Sequence, residues 1–207
     1  MDIRPLLEDE IYSFYYQSLP AHRKKKADGI KPRQKKAQSV GAWVLYMKIK
    51  ESYRLADHSI FNLSHSGDFV LCAAAIGDDE CTQVGCDIEA VRDIDLDMAK
   101  RFFTDSEQQQ VFASAQMNDR YQMFFRFWTL KESFVKALRV GLKQDTKGFA
   151  FDLRQGIVFK PIDITMKKPY FFHEYQNLTP QYRIAVCSDS HQIDKDLNEE
   201  FIKACYD

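Results

Sequence analysis

The carboxylates of Asp87 and Glu89 lie two residues apart in an apolar segment that is typical of a buried strand. Residues two apart in a strand point to the same side, so both side chains are predicted to face one way. Two carboxylates on one face repel each other unless a cation lies between them. Hard oxygen ligands suit Mg²⁺, which also keeps open coordination positions for phosphate oxygens. This segment therefore predicts a magnesium site.

A helix is predicted from Arg120 to Val140, with Gly141 as its C-terminal stop. Apolar residues cover most of its circumference, which is typical of a buried helix. Lys131, Glu132 and Lys136 interrupt them, and buried charges need partners or a ligand. Taken alone, Glu132 and Lys136 favour a structural ion pair because they are four residues apart. Together with the strand that carries two carboxylates, they favour a functional site.

Eight basic residues and the single acid Asp28 lie between Arg23 and Lys36. Such a run is usually a solvated loop, but lysine point charges also bind phosphate. His65 lies in segment 64–67, which is predicted to be a turn between two strands. A lone histidine is more often structural, although backbone N–H groups and an imidazole in such a turn can form an anion site.

The remaining pattern predicts the α+β class, with mostly antiparallel sheets. Helices are expected at residues 5–19, 34–53 and 194–205, and Thr104 with Glu107 has the form of a capping box that opens a further helix. Strands are expected at residues 60–63, 69–76, 82–91, 148–153, 156–159, 169–175 and 182–187. A polar break at residues 77–81 is the predicted boundary between two parts of the chain.

The bulk properties predict a globular protein of one domain or two small ones. The chain has 207 residues, of which 45% are hydrophobic and 29% charged. Its net charge of −1 gives no whole-molecule case for binding nucleic acid or a membrane. No apolar stretch of about eighteen residues predicts a membrane span. Five cysteines without Cys-x-x-Cys spacing fit a reducing cytoplasm.

Three motifs follow one another along the chain. They are Phe61-Asn62-Leu63-Ser64-His65-Ser66-Gly67, Gly85-Cys86-Asp87-Ile88-Glu89 and Phe127-Trp128-Thr129-Leu130-Lys131-Glu132-Ser133-Phe134-Val135-Lys136. In this order and spacing they resemble the Sfp-type 4'-phosphopantetheinyl transferases over residues 19–188. The resemblance implies two similar α/β halves in one chain, a pseudo-dimer with the site in the cleft between them. We assign residues 1–80 and 81–207 to the two halves.

The resemblance also implies an activity. Such enzymes transfer 4'-phosphopantetheine from coenzyme A to a serine of an acyl or peptidyl carrier protein and release adenosine 3',5'-bisphosphate. The resemblance also implies that Mg²⁺ is the metal cofactor, that Mn²⁺ can replace it, and that coenzyme A is the co-substrate. The chain is accordingly expected to be a cytoplasmic monomer whose partners are coenzyme A and a carrier protein. The sequence does not identify the carrier among those of fatty-acid, polyketide and peptide synthesis.

Individual roles follow from the matched positions. The metal ligands implied are Asp87, Glu89 and Glu132, with Asp87, Glu132 and Lys136 as the catalytic set. The base for the carrier serine is Glu132 or a water that it polarises. Lys25 is the best positional match for the 3'-phosphate contact, and its neighbours Arg23, Lys24 and Lys26 remain alternatives. Ser64 and His65 are implied for the pyrophosphate, and Lys131 and Lys136 for the same oxygens.

Two departures from the family pattern concern the nucleotide pocket. Family members commonly carry a Gly-Lys-Pro string before the Asn-x-Ser-His-Ser motif, and residues 53–60 contain none. Gln38 stands where the family often has Arg or Thr. Two other hypotheses therefore remain: a coenzyme A or nucleotide-binding module of the same fold without turnover, and another magnesium-dependent attack on a nucleotide pyrophosphate.

Overall fold

A computed structural model describes residues 1–77, 81–139, 145–163, 168–176 and 178–203. The α-helices in these ranges are α1 Asp9–Ser18, α2 Ala21–Asp28, α3 Arg33–Ser52, α4 Met98–Phe102, α5 Asp105–Val111 and α6 Met117–Leu138. The strands are β1 Phe61–Ser66, β2 Phe69–Ala74, β3 Val84–Ala90, β4 Phe149–Asp152, β5 Val158–Pro161, β6 Phe171–Tyr175 and β7 Tyr182–Ser188. Short 3₁₀ helices occupy Arg4–Leu7 and Glu199–Phe201.

All strand pairs in the described ranges are antiparallel. β1 pairs with β2, β4 pairs with β5, and β7 lies between β3 and β6. The predicted α+β class with antiparallel sheets is thus confirmed. Helix α3 packs on β1 and β2, and helix α6 packs on β3 and β7. Each part therefore has one long helix on an antiparallel sheet, as two similar halves require, while the division at residues 80 and 81 stays a prediction.

Helix α6 lies directly against β3 because Gly85 has no side chain. A Cβ atom at Gly85 would lie 2.0 Å from the backbone oxygen of Ser133 and 2.4 Å from the backbone nitrogen of Ala137. Only glycine allows two backbones to approach this closely. This contact brings the polar positions of α6 next to those of β3.

The predicted turn at residues 64–67 is wrong in its position. Ser64, His65 and Ser66 belong to β1, and the hairpin turns at Gly67 and Asp68. Gly67 adopts the left-handed region at φ 53°, which glycine reaches without strain. Because Ser64, His65 and Ser66 lie in a strand, they do not form the turn in which the backbone anion site was expected.

Other boundaries differ from the predictions in smaller ways. The N-terminal helix expected over 5–19 is a 3₁₀ turn followed by α1, and the basic run forms α2 and the start of α3 rather than a loop. The helix expected over 194–205 is limited, in the part that is described, to the 3₁₀ turn Glu199–Phe201. The capping box of Thr104 and Glu107 is confirmed. The predicted stop at Gly141 lies outside the described residues.

None of the described helices is long and apolar enough to cross a membrane.

Candidate active site

The two carboxylates of β3 face the polar edge of β1. Ser64 Oγ donates a hydrogen bond to Asp87 Oδ1 at 2.8 Å, and Ser66 Oγ donates to Glu89 Oε2 at 2.8 Å. The two-residue spacing therefore places both carboxylates on one side, as predicted from the sequence.

Asp87 forms the centre of the site. Its side chain is 5% exposed, and Lys136 Nζ lies 2.7 Å from its Oδ1. Burial raises the pKa of Asp87 to about 6, although the charge and hydrogen bond of Lys136 and the hydrogen bond from Ser64 oppose the rise. Its Oδ2 atom is buried and finds no hydrogen-bond partner within the described ranges. A buried carboxylate oxygen without a partner is costly unless a ligand or cation satisfies it.

Glu132 and Glu89 share the electrostatic environment of Asp87. Burial raises the pKa of Glu132; Lys136 opposes that rise, and the Glu89 carboxylate adds to it. Glu89 also raises the pKa of Asp87. Glu89 is therefore electrostatically coupled to Asp87 on the same strand and to Glu132 on α6.

In the described structure, the three carboxylates are not grouped as a preformed metal site. Across the residues that the structure describes, no three His, Cys, Asp or Glu side chains are grouped closely enough to hold a metal ion. Asp87 and Glu89 instead contact a serine and a basic side chain each. The donor set nevertheless fits a hard cation, because it consists of carboxylate oxygens and includes the unpartnered Asp87 Oδ2. The metal site stays a prediction.

The Ser64 hydroxyl is engaged within the protein, and its expected contact with the cofactor stays a prediction. Its hydroxyl donates to Asp87 and accepts from Lys136 Nζ at 2.9 Å and from the Ile88 backbone N–H at 3.4 Å. A serine hydroxyl offers one donor and two acceptor positions, so all three are used. Ser64 therefore orients Asp87 and Lys136, whose Nζ also donates to the Cys86 carbonyl at 3.1 Å.

A basic cavity of about 510 Å³ opens beside this cluster. It lies between α2, α3 and β1, and its walls are Arg23, Lys26, Ile30, Lys35, Ser39, Ala42, Trp43, Phe61, Asn62, Leu63 and His65. Three polar atoms in its walls are buried without a hydrogen-bond partner in the described ranges: Arg23 Nε, Ser39 Oγ and Trp43 Nε1. Such atoms are rare in a folded protein unless a ligand or water satisfies them. The cavity is therefore suited to a polar, anionic ligand.

His65 connects the cavity to the carboxylate cluster. Partial desolvation lowers the pKa of His65, and the positive charges of Lys35, Lys136 and Lys26 lower it further. The same imidazole thus lies near two lysines of the cavity and the lysine that contacts Asp87. The binding role expected for His65 stays a prediction.

Lys25, the residue expected to hold a phosphate, does not line this cavity. It is exposed on α2, where the helical period turns it away from Arg23 and Lys26. Arg23 and Lys26 are three residues apart and therefore share one face of the helix. The basic run does line a cavity, but Lys26 replaces Lys25 as the lysine of α2 that does so.

Lys131 lies in the core of the C-terminal part, which also corrects its expected role. Its Nζ lies 3.0 Å from a Glu107 carboxylate oxygen and donates to the backbone carbonyls of Thr146 and Phe149. The side chains of Lys131 and Glu107 are 2% and 0% exposed. Burial lowers the pKa of Lys131, and the charge of Glu107 opposes that shift. Lys131 is therefore a structural residue that cannot contact a bound phosphate.

A comparison with family models identifies the family of this chain. The model of the 4'-phosphopantetheinyl transferase superfamily matches residues 83–187, just over half of the chain. The chain belongs to this superfamily. The match includes β3 and α6, so it covers the carboxylates Asp87, Glu89 and Glu132 together with Lys136.

Relatives of this superfamily member carry the same family name. The chain is 31% identical over 137 residues to the 4'-phosphopantetheinyl transferase Sfp of Bacillus subtilis, covering 66% of this chain and 58% of the relative. It is 32% identical over 148 residues to the 4'-phosphopantetheinyl transferase gsp of Aneurinibacillus migulanus, covering 70% and 58%. The chain thus spans less than two thirds of the length of these relatives.

One solved structure shows a weak likeness to this superfamily member. It is a holo-[acyl-carrier-protein] synthase of Thermotoga maritima, with 19% sequence identity and a TM-score of 0.42. The aligned part covers 60% of this chain and 74% of that one. The likeness is too slight to bear on the site.

The burial of Lys131, a residue inside a motif of the superfamily, leads to a testable prediction. We expect Lys131→Met to lower the free energy of unfolding by about 3–5 kcal/mol, because Glu107 would remain buried without its counter-charge. Urea unfolding followed by circular dichroism measures this change. The double variant Lys131→Met with Glu107→Gln should recover part of the loss. An unchanged free energy of unfolding, together with a raised KM for coenzyme A, would return Lys131 to the phosphate site.

Proposed function

We propose that this protein transfers the 4'-phosphopantetheine group of coenzyme A to a serine hydroxyl of an acyl or peptidyl carrier protein, converting it from the apo to the holo form. The observation that carries the proposal is the junction of Asp87, Lys136 and His65. It joins a carboxylate cluster to a basic cavity, so one ligand can place a nucleotide in the cavity and its pyrophosphate at the cluster. Superfamily membership supports the same activity.

The basic cavity is proposed to hold the nucleotide end of coenzyme A. Lys26 and Lys35 supply point charges for phosphate, and the unpartnered Arg23 Nε supplies a further charged donor. Trp43, with the Arg23 guanidinium 4.6 Å from its ring centre, offers a flat wall to the adenine base. These residues contribute to the wall in a chain that lacks the family's Gly-Lys-Pro string.

The chemistry is phosphoryl transfer, in which positioning and charge neutralisation dominate. The carrier serine oxygen forms a bond to the pantetheine-side phosphorus, and the bond from that phosphorus to the bridging pyrophosphate oxygen breaks. Adenosine 3',5'-bisphosphate leaves with the electron pair. Glu132, or a water beside it, accepts the serine proton, since burial raises the pKa of Glu132. Lys136 neutralises negative charge on the pyrophosphate.

Asp87, Glu89 and Glu132 are proposed to hold Mg²⁺, with Mn²⁺ as a substitute. A bound divalent cation would neutralise charge that develops on the leaving pyrophosphate oxygen. Asp87 Oδ2 supports this proposal, because it is buried and has no hydrogen-bond partner in the described ranges, which leaves it available to coordinate a cation. Lys136 provides a positive charge beside Asp87.

The alternative function is a coenzyme A or nucleotide-binding module without turnover. It keeps the cavity but has no need of Glu132 or of a carboxylate cluster. The presence of all three carboxylates and Lys136 favours the enzyme. Incubation with coenzyme A, Mg²⁺ and a panel of apo-carrier proteins, read by intact mass, separates the two. A mass increase of one phosphopantetheine group on a carrier supports transfer, whereas binding of coenzyme A without any mass increase supports the module.

The cavity makes a separate prediction about substrate preference. We expect the double variant Lys26→Ala with Lys35→Ala to raise the KM for coenzyme A about tenfold and to change kcat little, because charged hydrogen bonds to a ground-state phosphate are lost. Steady-state kinetics with coenzyme A and 3'-dephospho-coenzyme A measure the effect. The variant should also lose its preference between the two substrates.

Lys25→Ala is the matched control for this prediction. It removes one lysine charge from α2, as Lys26→Ala alone does, but from a position that does not line the cavity. Its KM for coenzyme A should stay within about twofold of the parent, as expected for a single surface substitution. Equal effects of Lys25→Ala and Lys26→Ala would show that only the general field of the basic run matters.

The cellular location, the oligomeric state and the partners of the protein remain predictions. We propose a cytoplasmic monomer that meets coenzyme A and a carrier protein there. The expectation that neither nucleic acid nor a membrane is a partner rests on the near-zero net charge.

A further inference from the structure

The two sheets on either side of the site are joined by side chains of one strand. Asn62, Ser64 and Ser66 alternate along β1 and point towards β3. Asn62 Oδ1 accepts from the Cys86 N–H at 3.1 Å, and Ser66 Oγ accepts from the Ala90 N–H at 3.1 Å. Between these two contacts, Ser64 Oγ accepts from the Ile88 N–H at 3.4 Å. We call these three side chains the seam.

The seam replaces the backbone pairing that usually joins neighbouring strands. β1 forms its backbone ladder with β2, and β3 forms its ladder with β7, so β1 and β3 belong to different sheets in the described structure. The N–H groups of β3 at residues 86, 88 and 90 are instead satisfied by the seam. Buried N–H groups require such partners.

Both serines of the seam also hold a carboxylate. The Ser64 hydroxyl donates to Asp87 and the Ser66 hydroxyl donates to Glu89, each at 2.8 Å. One hydroxyl therefore fixes the position of the strand and the orientation of the neighbouring side chain together. The spacing between the two carboxylates is set by the two-residue period that the strands share.

We propose that Ser66 is a positioning residue that keeps Glu89 turned towards the site. This inference rests on the proposed function, because it assigns Glu89 to cation binding there. It assigns Ser66 to no contact with substrate. The seam thus has a role in the reaction in addition to joining the sheets.

Arg92 competes with Ser66 for the Glu89 carboxylate, so the Ser66 hydroxyl is needed to hold that carboxylate in place. Its Nη1 lies 3.3 Å from the same Glu89 Oε2 atom that accepts from Ser66. The Arg92 side chain is 56% exposed and the Glu89 side chain 21%, so this ion pair lies at the solvent side. Without the Ser66 hydroxyl, Arg92 is the remaining partner of Glu89 Oε2 among the described residues, and it draws the carboxylate towards solvent.

The test measures cation binding and backbone exchange in the full chain. Isothermal titration with MgCl₂ in the presence of coenzyme A should give an affinity about tenfold weaker for Ser66→Ala, the usual effect of losing a partner of a metal ligand. Amide hydrogen exchange at Ala90 should accelerate in the same variant, since this N–H loses its acceptor. Ser66→Thr retains the hydroxyl and should restore both readouts.

Two further variants separate positioning from a general loss of stability. Ser188→Ala removes a buried strand serine that accepts from the Ser190 N–H but contacts none of the three carboxylates, so its Mg²⁺ affinity should stay unchanged. Arg92→Met, added to Ser66→Ala, should restore part of the affinity because the competing charge is gone. If Ser66→Ala does not fold, Ser66→Cys keeps the side-chain volume with a weaker donor, and the same two readouts apply to it.

The outcomes distinguish this inference from the proposed function. Equal Mg²⁺ affinities for Ser66→Ala and Ser188→Ala overturn the positioning role, even if exchange at Ala90 accelerates. No rescue by Arg92→Met overturns the competition with Arg92. If the parent protein modifies no carrier but Ser66→Ala still weakens Mg²⁺ binding about tenfold, the proposed transfer fails while the positioning role survives.

Discussion

Asp87→Ala is expected to lower kcat/KM for modification of a carrier protein by at least about 10²–10³-fold, the loss seen when one charge-stabilising group leaves an active site. The variant removes the unpartnered Oδ2 proposed for the cation and the Oδ1 that holds Lys136. Lys136 would then lie beside the site without its counter-charge. Steady-state kinetics at saturating coenzyme A measure the loss, and circular dichroism checks that the fold is retained.

Two further variants test whether the effect is specific to the charge of Asp87. Asp87→Asn keeps the shape of the side chain but loses its charge, so a comparable loss of activity identifies the charge as the important property. Asp57→Ala removes an exposed carboxylate that is paired with Lys50 on the surface, and its activity should match that of the parent. Near-normal turnover by Asp87→Ala, or full activity of the parent in excess EDTA, would remove the metal-assisted reaction.

The strand period was the most reliable guide to the site. It predicted that Asp87 and Glu89 face one side, and both contact the seam on β1. Asn62, Ser64 and Ser66 follow the same period in β1, but the sequence pattern predicts a turn at Ser64 and Ser66 and therefore does not place them on one face. Their targets could not be predicted, because the sequence does not reveal that β1 adjoins β3 without backbone pairing.

Helical residues inside a motif were harder to assign, because adjacent positions point in different directions. Lys131 and Glu132 are neighbours in the sequence, yet a rotation of about 100° separates them on a helix, as follows from 3.6 residues per turn. Glu132 faces the charges of Glu89 and Lys136, whereas Lys131 enters the core beside Glu107. Its partner lies 24 positions earlier in the chain, and no local pattern identifies such a contact.

The lack of a local pattern also explains why the sequence pointed to Lys25, although Lys26 is the residue that lines the cavity. A run of basic residues has no apolar positions of its own to show which side faces a cavity. Only Ala27, which is fully buried, marks the inner side of α2, and Lys26 and Arg23 lie nearer to that side than Lys25 does. The compositional signal of phosphate binding was therefore detectable in the sequence, while the contributing side chains required the packing of α2 on α3.

Gly85→Ala is expected to be the most damaging single change to the fold and to the site together. Its Cβ would lie 2.0 Å and 2.4 Å from backbone atoms of Ser133 and Ala137, which no side-chain rotation relieves. Overpacking of this kind costs about 3 kcal/mol or more. For a chain of this size the melting temperature should fall by about 10 °C. Thermal unfolding by circular dichroism or calorimetry measures the shift.

Gly29→Ala is the matched control, because its Cβ would meet its nearest neighbour at an ordinary 3.6 Å. Its melting temperature should stay near that of the parent. The Gly85 substitution also reaches the chemistry, since α6 must move away from β3 and carry Glu132 and Lys136 away from Asp87. Transfer by any folded Gly85→Ala protein should therefore fall, measured well below its melting temperature. A folded variant that retains full transfer would mean that the close approach of α6 to β3 is not needed to assemble the site.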